Sequence, residues 1–214
     1  MGLDPGRPIV ALALTRGGRL SVATLNNPDF DLHSAHAALN AVALVAHRHP
    51  DWQVFLRPHP GELSRVGRLL ARAQGLGLPA MYVDHGPAHE CLAAADVLVC
   101  TESNLGIEAI LWQKPVVNVV LDVIPARVFE EGLGPLFTED DAVLIARNEP
   151  QIADAVEAAL TDAGTRRRLL DARPASIRRF NHVNDGGATA RVCTLALDMI
   201  ENGKDYVRHA DGPS

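Results

Sequence analysis

The chain has 214 residues, 47% of them hydrophobic and 21% charged, with a formal net charge of −6 and a pI near 5.8. This composition excludes a disordered chain, a collagen and a coiled-coil rod, and the acidic balance supplies no global field to draw in nucleic acid. The length suits a single domain, expected over residues 1–201, with a flexible polar tail over 202–214.

In chain order, the first element is an apolar run at residues 9–14 that reads as a strand. Thr15-Arg16-Gly17-Gly18 follows as a glycine turn, residues 20–25 as a short edge strand, and Asn26-Asn27-Pro28-Asp29 as a second turn. Residues 34–48 place Ala35, Ala38, Leu39, Val42 and Val45 on one helical face. A strand at 54–56 precedes a helix over 63–76, carrying Leu63, Val66, Leu70 and Ala73. Strands at 80–83, 97–100 and 116–121 alternate with short helices at 87–95 and 105–113. Most of these strands are apolar at successive positions, as in a parallel sheet covered on both faces. The last third turns helical: 149–161 with Ile152, Ala155, Val156, Ala159 and Leu160 on one face, and 165–181 broken or kinked at Pro174. A final helix runs from 188 to about 200, with Cys193, Ala196, Leu197 and Ile200 as its buried stripe. Strand–helix alternation of this kind predicts an α/β fold: one Rossmann-like parallel sheet flanked by helices, with a helical C-terminus.

Three cysteines, Cys91, Cys100 and Cys193, form no CxxC pair, which argues against a disulfide framework and a zinc knuckle. Cys100 ends an apolar run and reads as a buried thiol. No apolar run reaches membrane-spanning length, and the residues after Met1 lack the apolar core of a signal peptide, so a cytoplasmic protein is expected. His85 and His89 lack a third ligand at metal spacing, so no metal is expected. His33, His36, His47 and His49 are scattered over a helix and its ends, and Arg166-Arg167-Arg168 reads as a solvated helix face. The GxGxxG, Walker A and G-x-S-x-G patterns are all missing, which leaves a dinucleotide cofactor, P-loop hydrolysis and a nucleophile elbow without support.

In an open parallel sheet, ligands bind beyond the carboxyl ends of the strands, so the loop after each run is where chemistry belongs. Arg57-Pro58-His59-Pro60-Gly61-Glu62 is one such loop. Its prolines stiffen it and hold Arg57 and His59, a fork for phosphate and a donor for phosphate or sugar hydroxyl. The alternative is a rigid turn with an incidental basic pair. Thr101-Glu102-Ser103-Asn104-Leu105-Gly106-Ile107-Glu108 is the second. A strand entering Ser/Asn/Gly and then a helix presents backbone N–H groups and the positive helix end to an anion. Ser103 adds a hydroxyl, and Glu108, about one turn on, suits the two hydroxyls of a ribose. The alternative is an N-cap and nothing more, since Thr, Ser and Asn all cap well. Asp185-Gly186-Gly187-Ala188-Thr189, with Arg191, is the third. It reads first as a helix start with nothing bound, Arg191 reaching either a phosphate or a carboxylate.

Arg57-Pro58-His59-Pro60, Ala94-Ala95-Asp96-Val97-Leu98-Val99-Cys100-Thr101-Glu102-Ser103, Gly106-Ile107-Glu108-Ala109-Ile110 and Gln113-Lys114-Pro115-Val116-Val117 together resemble the C-terminal domain of GT-B enzymes. The resemblance is to the group of UDP-N-acetylglucosamine 2-epimerases, CDP-glycerol glycerophosphotransferases and capsule or polysialic acid transferases. Asp185-Gly186-Gly187-Ala188 with Arg191 resembles the start of their last helix. The likeness covers residues 50–120, is looser over 140–200 and is weak before residue 35.

That resemblance implies half of a GT-B fold that holds a CDP-, CMP- or UDP-activated sugar or glycerol and uses no cofactor. It implies His59 beside the donor phosphates or sugar, Ser103 and the amides around Asn104 on a phosphate, Glu108 on the ribose hydroxyls, and Arg57 as a further phosphate contact. His59 and Arg57 are then the candidate stabilisers of the leaving group, and the catalytic base is unassigned. The family's acceptor domain has no counterpart in these residues. The implied partner is a second GT-B half, on a separate chain or missing from this one, or a second copy. Glycosyl or glycerophosphoryl transfer is the leading expectation; a sugar-nucleotide 2-epimerase-like protein and a non-catalytic nucleotide-binding module are the alternatives.

Overall fold

A computed structural model describes residues 2–14, 30–58, 66–78, 82–84, 86–101, 103–121 and 136–210. The strands are β1 (Ile9–Leu14), β2 (Gln53–Pro58), β3 (Tyr82–Val83), β4 (Val97–Cys100), β5 (Val116–Val119) and β6 (Leu144–Ala146). The helices are α1 (Phe30–Arg48), α2 (Val66–Gly75), α3 (Ala88–Ala94), α4 (Asn104–Leu111), α5 (Glu149–Thr161), α6 (Ala163–Asn181) and α7 (Ala188–Ala210). The strands form one sheet in the order β3-β2-β1-β4-β5-β6, parallel at every pairing. The expected parallel α/β sheet is therefore present. The turns and edge strand expected within 15–29 lie outside the described residues.

Side-chain alternation along each strand explains why both faces are apolar. Val10, Leu12, Leu14, Val54, Leu56, Val97, Val99, Val117 and Val119 share one cluster with buried residues of α1, α2 and α5. The intervening Ala11, Phe55 and Leu98 are fully buried as well. Helices α1 and α5 run side by side on the first face. Asn40 Nδ2 donates to Glu149 Oε1 at 2.7 Å near one end, and Arg48 Nη1 donates to Glu157 Oε1 at 3.1 Å near the other.

Beyond shifts of a few residues at the ends of α1 and β2, the structure departs from the sequence reading in the following elements. β6 was not expected: its three residues, Leu144–Ala146, are too few to stand out as an apolar run, and their pairing with β5 makes them a strand. β5 ends at Val119, not at residue 121, although Val120 still donates to the Ala146 carbonyl at 2.9 Å. Of the break or kink expected at Pro174, the break is not present: α6 is continuous through it, the ring removing one N–H while the rest of the helix holds. α7 continues to Ala210, and its expected buried stripe is not buried: Cys193 is exposed, Leu197 is 59% exposed and Ile200 79%. Periodicity marks the apolar side of a helix but does not supply a surface to cover it.

By its contacts the chain divides into two compact units, Met1–Ser176 and Ile177–Ser214. The sheet and its core belong to the first. No helix among the described residues is long and apolar enough to cross a membrane.

Candidate functional site

The chain runs outward from β1 through β2 to β3, then returns to β4 on the other side of β1. The carboxyl ends of β1 and β4 therefore flank the topological switch point, where open α/β sheets take their ligands. Register puts Ala13 beside Cys100 at that edge. Two residues after Cys100 the chain enters α4.

Ser103 is the N-cap of α4, with extended backbone; its Oγ accepts from the Leu105 N–H at 3.3 Å. Its carbonyl accepts from Gly106 at 2.9 Å. The capping reading of this loop is thus correct. It leaves the Ser103 hydroxyl proton to donate and, among the described residues, the Asn104 N–H without an acceptor. Ser103 is buried and Asn104 exposed; Glu108 is exposed one turn further along the same helix.

Gly106 is what lets this helix sit so close to the sheet. A Cβ there would stand 2.8 Å from Phe137 Cζ and 3.2 Å from Cys100 Sγ. Phe137 is fully buried and comes from the segment ahead of β6, so the helix N-terminus is wedged between that segment and β4. The other end of α4 is fixed too. Gln113 donates to the Ile110 carbonyl at 3.1 Å and Lys114 to that of Ala109 at 2.9 Å, with Gln113 at φ 59°. This is a Schellman ending with glutamine in the position glycine favours.

On the other side of β1, Arg57 projects from the end of β2 onto Asp84, which directly follows β3. Arg57 Nη1 donates to Asp84 Oδ2 and, at 2.9 Å, to the Gly86 carbonyl. Asp84 is 2% exposed and also accepts from the Gly86 N–H at 2.9 Å. Arg57 therefore ties β2 to the β3–α3 connection. Beneath the pair, fully buried Cys91 has its thiol pushed up to about 12, mainly by burial, with Arg57 pulling it down and Asp84 pushing it up. It is a neutral core thiol. His59, Glu102 and His85 lie outside the described residues.

The comparisons with known proteins agree with this fold. Residues 29–121 match the family described as capsule polysaccharide biosynthesis protein. The chain is 32% identical over 216 residues to a lipid-A-disaccharide synthase of Thiobacillus denitrificans, covering 94% of this chain and 52% of that protein. It thus spans about half the length of the curated relative it matches. Among solved structures, the C-terminal CMP-Kdo binding domain of WaaA from Acinetobacter baumannii matches with a TM-score of 0.55 at 18% identity, over 80% of this chain and 90% of that one. A UDP-N-acetylglucosamine 2-epimerase structure from Listeria monocytogenes matches with a TM-score of 0.58 at 14% identity, over 92% of this chain and 47% of that one. The fold is that of a GT-B C-terminal domain.

On this GT-B domain a smaller cavity, about 310 Å³, opens beyond the ends of β5 and β6. Leu121, Arg147 and Asn148 bound it from the strand side. Across it, Arg72 donates from Nε and Nη2 to Asn40 Oδ1 at 3.2 and 2.8 Å, and Asn40 passes a hydrogen bond on to Glu149. In the second compact unit, Asp185 accepts from the Gly187 N–H at 2.8 Å and from Arg191 Nη1 at 3.0 and 2.9 Å. These bonds hold its carboxyl below the usual range, the Gly187 amide contributing most. Of the two partners expected for Arg191, the structure shows the carboxylate.

Sequence reasoning missed Asp84, although the rule it used, to look just past each strand, leads straight to it. It also missed Asn118, fully buried in β5, whose Oδ1 lies 3.8 Å from Cys100 Sγ. An asparagine inside a valine run was the available signal.

Proposed function

We propose that this chain is the donor-binding half of a GT-B-type glycosyl- or glycerophosphotransferase, holding a CDP-, CMP- or UDP-activated group. The observation that carries the reading is the capped N-terminus of α4 at the β1/β4 switch point, with Glu108 exposed one turn along. The Asn104 amide, the Ser103 hydroxyl and the positive helix end receive a phosphate. Glu108 accepts from the two ribose hydroxyls. As the bond to the transferred group breaks, charge grows on the departing phosphate, and these fixed dipoles stabilise it without reorganising.

His59 joins them at the phosphates on the strength of the resemblance. Arg57, which the resemblance implies as a further phosphate contact, has its charge paired with Asp84 and would have to share it with the ligand. The general base and the acceptor site come from a second half, on this or another chain, in keeping with a relative about twice as long. The similarity to a CMP-Kdo binding domain and to a protein named as a UDP-N-acetylglucosamine 2-epimerase favours a nucleotide-activated sugar.

Calorimetric titration with CMP, CDP, UDP and UDP-N-acetylglucosamine tests the reading. At least one binds, and Glu108→Ala weakens it by roughly 1.5–3 kcal/mol for each charge-assisted hydrogen bond lost. Unchanged ribonucleotide affinity in Glu108→Ala removes the ribose assignment. Failure of every nucleotide to bind the folded chain removes the donor-binding reading.

A further inference from the structure

A further cavity lies away from the switch point. It is a cleft of about 530 Å³ at the opposite, amino-terminal edge of the sheet. Pro8, Asp96 and Pro115, which precede β1, β4 and β5, form its base. Its volume lies in the range of small-molecule sites. Four cations line it: Arg7, Lys114, Arg166 and Arg173.

The three arginines are held in place by neutral oxygens. Arg7 donates to the Asp51 and Pro50 carbonyls at 2.6 and 3.1 Å, and Arg166 to the Leu160 carbonyl at 2.8 Å. Arg173 donates to the Ile110 and Leu111 carbonyls at 2.7 and 2.9 Å. Such bonds orient a guanidinium without themselves neutralising it, and among the described residues only Arg166 of the three has a carboxylate, that of Asp162, shown to feel its charge. Asp96 is the single carboxylate in the lining, and one of its oxygens accepts from the Ile9 N–H at 2.9 Å. Asp162, close to Arg166, is turned to the Thr165 N–H at 2.6 Å. Counting Asp96, Asp162 and half a negative charge at the end of each of α4 and α5, the cleft keeps an excess of about one positive charge. Between the cations the wall is apolar, with Leu169 buried and Leu170 half exposed. Gln113, which ends α4 in a left-handed conformation, also lines the cleft.

We infer that this cleft is a second ligand site, distinct from the switch point, for a phosphomonoester carried on an apolar body. The dianion meets Lys114 and the arginines, and the apolar body lies along Leu169 and Leu170. Helix α4 joins the two sites, its N-terminus at one edge of the sheet and its C-terminal turn, up to Lys114, at the other.

Calorimetric titration of the whole chain with n-octyl phosphate, inorganic phosphate and n-octyl glucoside tests the inference. Octyl phosphate binds one to one and more tightly than either of the others. Lys114→Gln, which removes one charged hydrogen-bond donor, raises its Kd about tenfold. Arg166→Gln acts in the same direction, and circular dichroism checks that both variants are folded. Nucleotide affinity is unchanged in Lys114→Gln, so failure here is distinguishable from failure of the donor-binding reading. Retention on vesicles containing phosphatidic acid, lost in Lys114→Gln, assigns the phosphate to a membrane lipid. Octyl phosphate binding without vesicle retention assigns it to a soluble phosphoester. No binding of octyl phosphate, equal affinity for inorganic phosphate, or an unchanged Kd in both folded variants overturns the inference.

Discussion

The connections that leave β2 and β4 start at the same edge of the sheet, on either side of β1, and both carry residues suited to phosphate. They use them differently. After β2, the fixed charge of Arg57 is drawn onto Asp84 and the Gly86 carbonyl, so it serves the fold first. After β4, the attraction for an anion resides in the backbone itself, at the start of α4, where Ser103 satisfies one amide and leaves the helix end positive. A side-chain charge can be claimed by any carboxylate the fold brings near it. A helix N-terminus can be capped too, but the cap here is a neutral hydroxyl that takes one amide and leaves the helix dipole unneutralised.

Three substitutions test how different the two connections are. The largest effect is expected from Asp84→Asn. It leaves the Arg57 guanidinium, 17% exposed, without its counter-charge, at a cost of about 3 kcal/mol in urea denaturation. A loss below about 0.5 kcal/mol, the range of ordinary surface substitutions, means that Arg57 is not committed to the fold and is available to a ligand. Gly106→Ala comes next. The added methyl group meets Phe137 and Cys100, and overpacking of ~1–3 kcal/mol outweighs the ~1 kcal/mol that alanine gains over glycine in a helix. A more stable variant in the same denaturation experiment would show that α4 can shift away from Phe137. Ser103→Ala is the mildest, about 1 kcal/mol for a lost N-cap, with nucleotide phosphate affinity falling alongside. If stability falls and phosphate affinity does not, Ser103 is a cap and nothing more.

Much of this was legible in the sequence because it rests on local patterns. The valine- and leucine-rich runs announced buried parallel strands, and Ser103-Asn104 ahead of an apolar helix announced its N-cap. The loop rule selected the edge of the sheet that holds the switch point. What escaped depends on partners far apart in the chain. β6 is a strand through its pairing with β5. Asp84 matters because β3 lies beside β2, 27 residues from Arg57 in sequence. The glycine at 106 is explained only by Phe137, which packs over it from the segment before β6. α7 shows the converse: its apolar stripe was read correctly as a pattern, yet its burial was not a property of the pattern.

The sequence by itself determined the class of fold, the order of its elements and the loop that starts α4, because hydrophobic periodicity and capping act over a few residues. Only the tertiary structure decided which charge is spent inside the fold, which glycine is required for packing, and where the cations of the amino-terminal cleft converge. Arg7, Lys114, Arg166 and Arg173 are spread over most of the chain. Arg7 and Lys114 lie just ahead of β1 and β5, whose starts a parallel sheet gathers along one edge, and α6 brings Arg166 and Arg173 to that edge; no window of sequence contains it.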